Sequence, residues 1–163
     1  MIEEKFTPLT IMNERDKKEL FEKLNEQFGI KKIPGIIVSR GKERIFLFTG
    51  DITSDKLKEI EKSIVIERVG IYLGKVDEKT EKIRLSIEGS QMLKDQITKN
   101  VYELKNNEDF EMWMQGQDLY IKTGTKEFLI IKYKDHLLGT GKASEEKISN
   151  YIPKNRRLKI KQT

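Results

Sequence analysis

Basic residues concentrate in the last thirteen positions of the chain, residues 151–163. This segment has five Lys and Arg residues and no Asp or Glu, while the whole chain carries a formal net charge of +5. Subtracting five from the 32 basic residues leaves 27, which equals the number of acidic residues, so the entire positive excess lies at the carboxyl end. A segment of this kind attracts polyanions. Its cations are Lys154, Arg156, Arg157, Lys159 and Lys161.

The same segment alternates apolar and basic side chains. Leu158 and Ile160 lie between three cations, and a period of two predicts a β-strand. Arg157, Lys159 and Lys161 then form one row, and Lys154 and Arg156 form another. We expect this strand to hold the charges against a folded scaffold, in preference to a frayed and solvated terminus. Lys122 and Lys142 are predicted to extend the same cationic path.

Most catalytic chemistry is disfavoured by composition. The chain has no Cys, and its single histidine, His136, is expected in a loop or turn. The segment Gly139-Thr-Gly-Lys142 looks like a phosphate-binding loop, but Ala143 stands where that motif needs Ser or Thr. No glycine fingerprint for a dinucleotide follows a strand. We therefore expect no catalytic residue, cofactor or metal, and a protein that is not an enzyme.

The first half of the chain reads as alternating helices and hairpins. Asn13 is a predicted N-cap, and apolar residues then recur at helical spacing as far as Gly29. A second helix is expected after a cap at Thr53 or Ser54, with Leu57 and Ile60 on its buried side. Predicted strands are residues 36–39 and 45–48 around a turn at 40–43, and residues 64–75 and 82–87 around a turn at 77–80.

A polar, weakly periodic stretch at residues 94–100 predicts a domain boundary. Everything after it is expected to be strand and turn, as a unit that packs against the first domain or closes into a small barrel. Trp113 is either a base-stacking platform or part of that barrel's core, and the core is favoured. Predicted strands are residues 101–104, 119–121, 128–133, 137–142 and the basic tail, and predicted corners are Gly116, Gly124, Gly139 and Gly141.

Two segments resemble a known family. Residues 69–75 with 82–87 and Leu93 look like the strand-turn-strand that precedes the PUA domain in the Nip-seven family of large-ribosomal-subunit biogenesis factors. Gly116, residues 122–124 and residues 135–141 are similar to the glycine-cornered core of that family's C-terminal PUA module. The usual Gly-Ala and Pro-Gly signature of PUA domains is absent, and residues 114–119 stand in its place.

The resemblance implies an α+β protein with two domains. Residues 1–95 would be an N-terminal mixed α/β pre-PUA domain, an antiparallel sheet with helices, and residues 96–163 a small all-β PUA pseudo-barrel. The implied function is that of a non-catalytic RNA-binding factor in rRNA processing and large-subunit assembly, with pre-rRNA and assembly or RNA-processing proteins as partners. Within the family the basic C-terminal group contacts RNA, and the matching residues here are Lys154, Arg156, Arg157, Lys159 and Lys161.

Two other functions stay open. The chain could be an RNA-targeting partner of an RNA-modifying enzyme such as a cytosine methyltransferase. It could also be a protein-interaction module of an assembly complex, which exposed Phe6, Ile11 or Phe46 would favour. The sequence has no apolar run of membrane-spanning length and no signal-peptide pattern, so we expect no membrane partner. The expected location is cytoplasmic, or nucleolar in a eukaryote, and the Lys, Ile and Glu usage is typical of an archaeal source.

Overall fold

The computed structural model describes residues 9–41, 43–66 and 68–159. It confirms the predicted fold class, because an antiparallel sheet with helices is followed by a curled C-terminal sheet. The first sheet has five strands in the order β1 Leu9–Ile11, β2 Ile36–Arg40, β3 Arg44–Phe48, β4 Ile71–Val76 and β5 Ile83–Leu85. The second has four in the order β6 Val101–Glu103, β7 Phe128–Tyr133, β8 His136–Ala143 and β9 Ile148–Ser149.

The first two helices begin at the side-chain caps that the local sequence predicts. Asn13 accepts a hydrogen bond from the Asp16 N–H at 2.8 Å, and Gly29 ends the first helix at a φ of 80°. Thr53 caps the second helix. No helix among the described residues is long and apolar enough to cross a membrane. The helices are α1 Glu14–Phe28, α2 Ser54–Ser63, α3 Ile87–Met92 and α4 Asn107–Met114.

The first sheet is covered on both faces. Ile37 on β2 packs in one apolar cluster with Leu24 of α1, whereas its neighbour Val38 packs in another with Leu57 of α2. Because successive side chains of a strand point to opposite faces, α1 and α2 lie on opposite sides of the sheet. The prediction that Leu57 is buried is confirmed, while Ile60 is only half-buried.

The second predicted hairpin is shorter than expected. Residues 64–66 and 68–70 belong to no strand, and β4 begins only at Ile71. Glu67 is outside the described residues. The physical reason lies at Gly70, whose φ is 65° and where an added Cβ would approach the Leu47 carbonyl oxygen to 1.9 Å. At the other end, Ser86 leaves the strand to cap α3 by accepting the Gly89 N–H.

The prediction that the C-terminal part contains only strands and turns is wrong. Asn106 accepts the Asp109 N–H at 2.8 Å and starts α4, and β9 was not anticipated. Trp113 on α4 is fully buried and donates its indole N–H to the Leu138 carbonyl at 3.2 Å. The interpretation of Trp113 as a core residue is therefore confirmed, and its base-stacking role is excluded by burial.

The two sheets share a continuous core across the predicted boundary. Phe128, Ile130 and Leu137 of the C-terminal sheet belong to the same apolar cluster as the buried residues of α1. The segment at residues 139–142 that looks like a phosphate-binding loop lies within β8. Its buried Thr140 hydroxyl accepts the Leu85 N–H of β5 at 3.0 Å. The expected packing between the two parts is confirmed, while the boundary at residues 94–100 stays a prediction.

Candidate nucleic-acid interface

The C-terminal segment does not form the predicted strand over the described residues. After Pro153 the chain makes one turn of 3₁₀-helix at Lys154–Arg156, and residues 157–159 belong to no strand. Pro153 lacks an N–H, and the Arg156 N–H donates to its carbonyl at 2.9 Å, which closes a local turn where a strand ladder would need partners. The prediction of two rows of cations on opposite faces of a strand is therefore wrong for residues 154–159. Lys161 lies outside the described residues.

Asn150 fastens the start of this segment to the folded unit. Its side-chain amide donates to the carbonyls of Trp113 at 2.8 Å and Gln117 at 3.0 Å, and its backbone N–H donates to Asp118 at 2.8 Å. Its side-chain oxygen accepts the N–H of the buried Ile152 at 2.8 Å. Because both the nitrogen and the oxygen of the Asn150 side-chain amide are hydrogen-bonded, the backbone is fixed on either side of residue 151.

Arg157 is fixed by packing and hydrogen bonding. Its Nε donates to the Ile152 carbonyl at 3.0 Å, and its side chain crosses the loop at Gly116. Gly116 has a φ of 86°, and a Cβ there would lie 2.2 Å from the Arg157 Nε. Glycine at this corner thus makes room for the arginine. The Leu158 N–H then donates to the Met114 carbonyl at 2.8 Å, so the segment is tied down beyond the turn.

Arg156 forms an ion pair with Glu88 of α3. This contact joins the C-terminal segment to the N-terminal part of the molecule. A phosphate that binds Arg156 must share the guanidinium with a carboxylate or displace it. Arg156 is therefore a cation whose availability depends on Glu88.

Lys154 and Lys159 are exposed, and neither has a carboxylate partner among the described residues. Both flank the fixed Arg157, so their backbones are held while their ammonium groups stay in solvent. Lysine and arginine side chains in this state are suited to bind phosphate oxygens. We call the four cations Lys154, Arg156, Arg157 and Lys159 the basic region.

The two cations predicted to extend the path are already engaged by other groups. Lys122 is 3.7 Å from Glu146, with both side chains mostly exposed. Lys142 donates to the Lys126 carbonyl, and its ammonium nitrogen lies 4.6 Å from the Phe128 ring centroid. The structure therefore does not bring Lys122 into a carboxylate-free patch, and Lys142 is committed to a backbone oxygen and an aromatic face.

A balanced set of charges surrounds Lys122. The Asp118 and Lys147 side chains are 2.7 Å apart. Their hydrogen bond holds the pKa of the Asp118 carboxyl below its usual value and raises the pKa of the Lys147 ammonium. We call this set the paired region; its ion pairs are Lys122–Glu146, Lys126–Glu145 and Lys147–Asp118.

Sequence reasoning missed two neighbours of the basic region. The Arg84 guanidinium carbon lies 4.0 Å from the ring centroid of Tyr151, and 40 % of Tyr151 is exposed. Arg84 lies within the short strand β5, and the basic pattern of the last thirteen residues begins only after Tyr151. The available signal was the position of Tyr151 between a capping-type Asn and an apolar residue at the head of the basic segment.

The residues named for a protein-interaction module do not form an apolar surface. Phe46 is buried and Ile11 is half-buried, whereas Phe6 is outside the described residues. The most exposed large apolar side chains among the described residues of the N-terminal part are Ile64 and Val65, which follow α2.

Comparison with known families identifies the C-terminal unit. Residues 99–158 match the family described as the methyltransferase RsmF PUA domain, a span of less than half of the chain. A search of curated proteins found no match. The C-terminal part is thus a PUA-like domain, and a PUA domain implies RNA binding. The matched span covers β6 through β9, Tyr151 and all of the basic region except Lys159.

Proposed function

We propose that this protein is a non-catalytic RNA-binding factor that acts on rRNA precursors during large-subunit assembly. The observation that carries the proposal is the PUA-like domain with an exposed basic region that has one carboxylate partner, Glu88, among the described residues. The assembly role rests on the resemblance of residues 69–75 and 82–87 to the Nip-seven family.

Phosphate binding is assigned first to Lys154 and Lys159, because they are exposed and have no carboxylate partner in the part of the chain that the structure describes. Arg157 supports the segment through Ile152 and offers its remaining guanidinium donors to RNA. Arg156 contributes when Glu88 releases it. Lys161 belongs to the proposed path by sequence, and Lys122 and Lys142 are weaker contributors because their charges are already engaged.

The experiment is a binding titration with labelled single-stranded RNA, followed by crosslinking in cells and sequencing of the bound RNA. With three to five phosphates contacted, log K should fall with log salt at a slope of about 2 to 3.5. Crosslinked reads should map to large-subunit rRNA precursors. Enrichment of mature messenger RNA, or a salt slope near zero, would contradict the proposal.

A second function is favoured by the family match itself, whose description names a methyltransferase. In this alternative the protein brings an RNA-modifying enzyme, such as a cytosine methyltransferase, to its RNA. Adding the full chain to such an enzyme should then raise its rate on rRNA, and Lys154→Ala with Lys159→Ala should abolish the stimulation. Unchanged methylation at saturating protein would exclude this alternative.

A further inference from the structure

Arg84 has an unusual position for a strand residue. It is the middle residue of β5, whose neighbours Ile83 and Leu85 are buried in the shared core. Arg84 therefore projects from the opposite face, at the edge of the five-stranded sheet. That edge lies against the C-terminal unit, and the Tyr151 ring lies over the Arg84 guanidinium there.

The donors of Arg84 have no acceptor among the described residues. Its Nε is buried and makes no hydrogen bond, and its side chain forms no ion pair in that part of the chain. A guanidinium has five N–H donors in a planar fork that matches the oxygens of a phosphate. Its positive charge also reaches Tyr72, where burial raises the pKa of the hydroxyl and Arg84 opposes that rise.

Tyr151 is held rigidly while remaining accessible. Asn150 before it is anchored by Trp113, Gln117 and Asp118, and Ile152 after it is buried. The ring also lies 6.3 Å from that of Phe128 in a tilted arrangement. An aromatic ring on a fixed backbone offers a face to an unpaired base without a large entropic cost.

We propose that Arg84 and Tyr151 form a nucleotide subsite, here called the tyrosine subsite, which takes one phosphate on the guanidinium and one unpaired base on the ring. It deepens the proposed RNA binding, on which it rests, and extends the RNA path from the basic region onto the N-terminal sheet. Lys154 and Arg156 follow Tyr151 closely in the chain, and Arg156 contacts α3, which begins just after β5.

Tyr120 provides the internal comparison. It is more exposed than Tyr151, at 78 %, but the nearest cation to its ring is Lys147, 6.0 Å away and paired with Asp118. The cation beside Tyr120 is thus paired with a carboxylate, whereas the Arg84 guanidinium beside Tyr151 forms no ion pair within the part of the chain that the structure describes. Exposure alone would favour Tyr120 as the base-stacking residue, whereas the neighbouring charge favours Tyr151.

The test measures binding of a short labelled single-stranded oligoribonucleotide to the full chain by fluorescence anisotropy over a salt series. Tyr151→Ala should weaken binding about 5- to 150-fold without changing the salt slope, because it removes stacking and no charge. Arg84→Ala should lower the slope by about 0.7, the value for one phosphate on a single strand. Tyr120→Ala and Lys18→Ala, the latter on α1 across the sheet, should bind as the unsubstituted protein does.

A spectroscopic variant separates stacking from a structural role. Trp113 is buried, so Tyr151→Trp adds an exposed indole whose emission should be quenched when RNA saturates the protein. If RNA saturates the Tyr151→Trp protein without quenching the indole emission, the proposal of the tyrosine subsite is wrong. It is also wrong if Tyr120→Ala weakens RNA binding and Tyr151→Ala does not.

The subsite and the proposed function fail in different ways. If the unsubstituted chain binds no RNA, the proposed function is wrong and the tyrosine subsite is lost with it. If RNA binds and depends on Lys154 and Lys159, while Arg84→Ala and Tyr151→Ala bind normally, only the tyrosine subsite is wrong. Urea unfolding of each variant shows that the compared proteins are folded.

Discussion

The paired region and the basic region lie on one domain and have similar numbers of cations, yet they differ in what those cations contact. In the paired region each of Lys122, Lys126 and Lys147 has its own carboxylate. In the basic region the only carboxylate contact among the described residues is Glu88 with Arg156. A phosphate is attracted to unpaired cations and repelled by carboxylates. We therefore expect the absence of acidic neighbours, more than the count of lysines, to decide which of the two regions binds RNA.

The largest expected effect comes from removing the Trp113 side chain, which supports the domain that carries both regions. Trp113 lies beneath β8, and its carbonyl accepts the Asn150 amide that anchors the basic region. Trp113→Ala should lower the free energy of unfolding by about 3–5 kcal/mol, as expected for loss of a fully buried aromatic side chain. Urea denaturation measures this, with Tyr120→Ala as the exposed aromatic control. A loss below about 1 kcal/mol would show that Trp113 does not support the fold.

The second prediction compares the regions directly. Lys154→Ala with Lys159→Ala should lower RNA affinity about 25-fold at about 0.1 M salt, because two phosphate contacts are lost at a slope of about 0.7 each. Lys122→Ala with Lys126→Ala removes the same charge from the paired region and should lower affinity much less. Anisotropy titrations of both double variants provide the measurement. Equal losses would mean that net charge alone controls binding.

The third prediction concerns the ion pair between Arg156 of the basic region and Glu88. Glu88→Gln frees the Arg156 guanidinium and removes a negative charge close to the proposed RNA path. Affinity should rise about fivefold at about 0.1 M salt, the gain from one additional phosphate contact. Glu88→Gln combined with Arg156→Ala should lose that gain. Weaker binding by Glu88→Gln alone would show that the pair mainly positions the segment.

The smallest expected effect is a pH dependence of stability in the paired region. The pKa of Asp118 is lower in the folded protein than its ordinary value of 3.8, chiefly because Lys147 donates a hydrogen bond to it. Its stabilising contribution is therefore present above the unfolded pKa and is lost as pH falls through the folded pKa. Urea unfolding between about pH 5 and pH 2 should show this decline. The Asp118→Asn variant should show a smaller decline in stability over this pH range. A decline identical to that of the unsubstituted protein would contradict the assignment to Asp118.

Local signals in the sequence were sufficient for several elements. Asn13, the helical spacing that follows it and Gly29 define α1 without reference to the rest of the chain. The same type of signal was present for α4, where Asn106 precedes two acidic residues of the first turn, but the surrounding strand pattern obscured it. Helix caps were therefore more reliable than the overall pattern of the domain.

Contacts between distant residues could not be predicted in this way. The alternation around Leu158 predicted a strand, but the structure closes a 3₁₀ turn after Pro153 and ties Leu158 to Met114. The contact of Arg84 with Tyr151 and that of Arg156 with Glu88 arise only when the two sheets pack together. The sequence therefore shows where the cations lie along the chain, but it does not predict the shape of the segment or its neighbours.

Mapping protein–RNA crosslinks by mass spectrometry tests the central claim most directly, because it reports which peptides contact RNA in the full chain. The account predicts crosslinked peptides that contain Tyr151, Lys154 or Lys159, with a second set that contains Arg84. Crosslinks confined to residues 118–126 and 144–147, in the paired region, would contradict it.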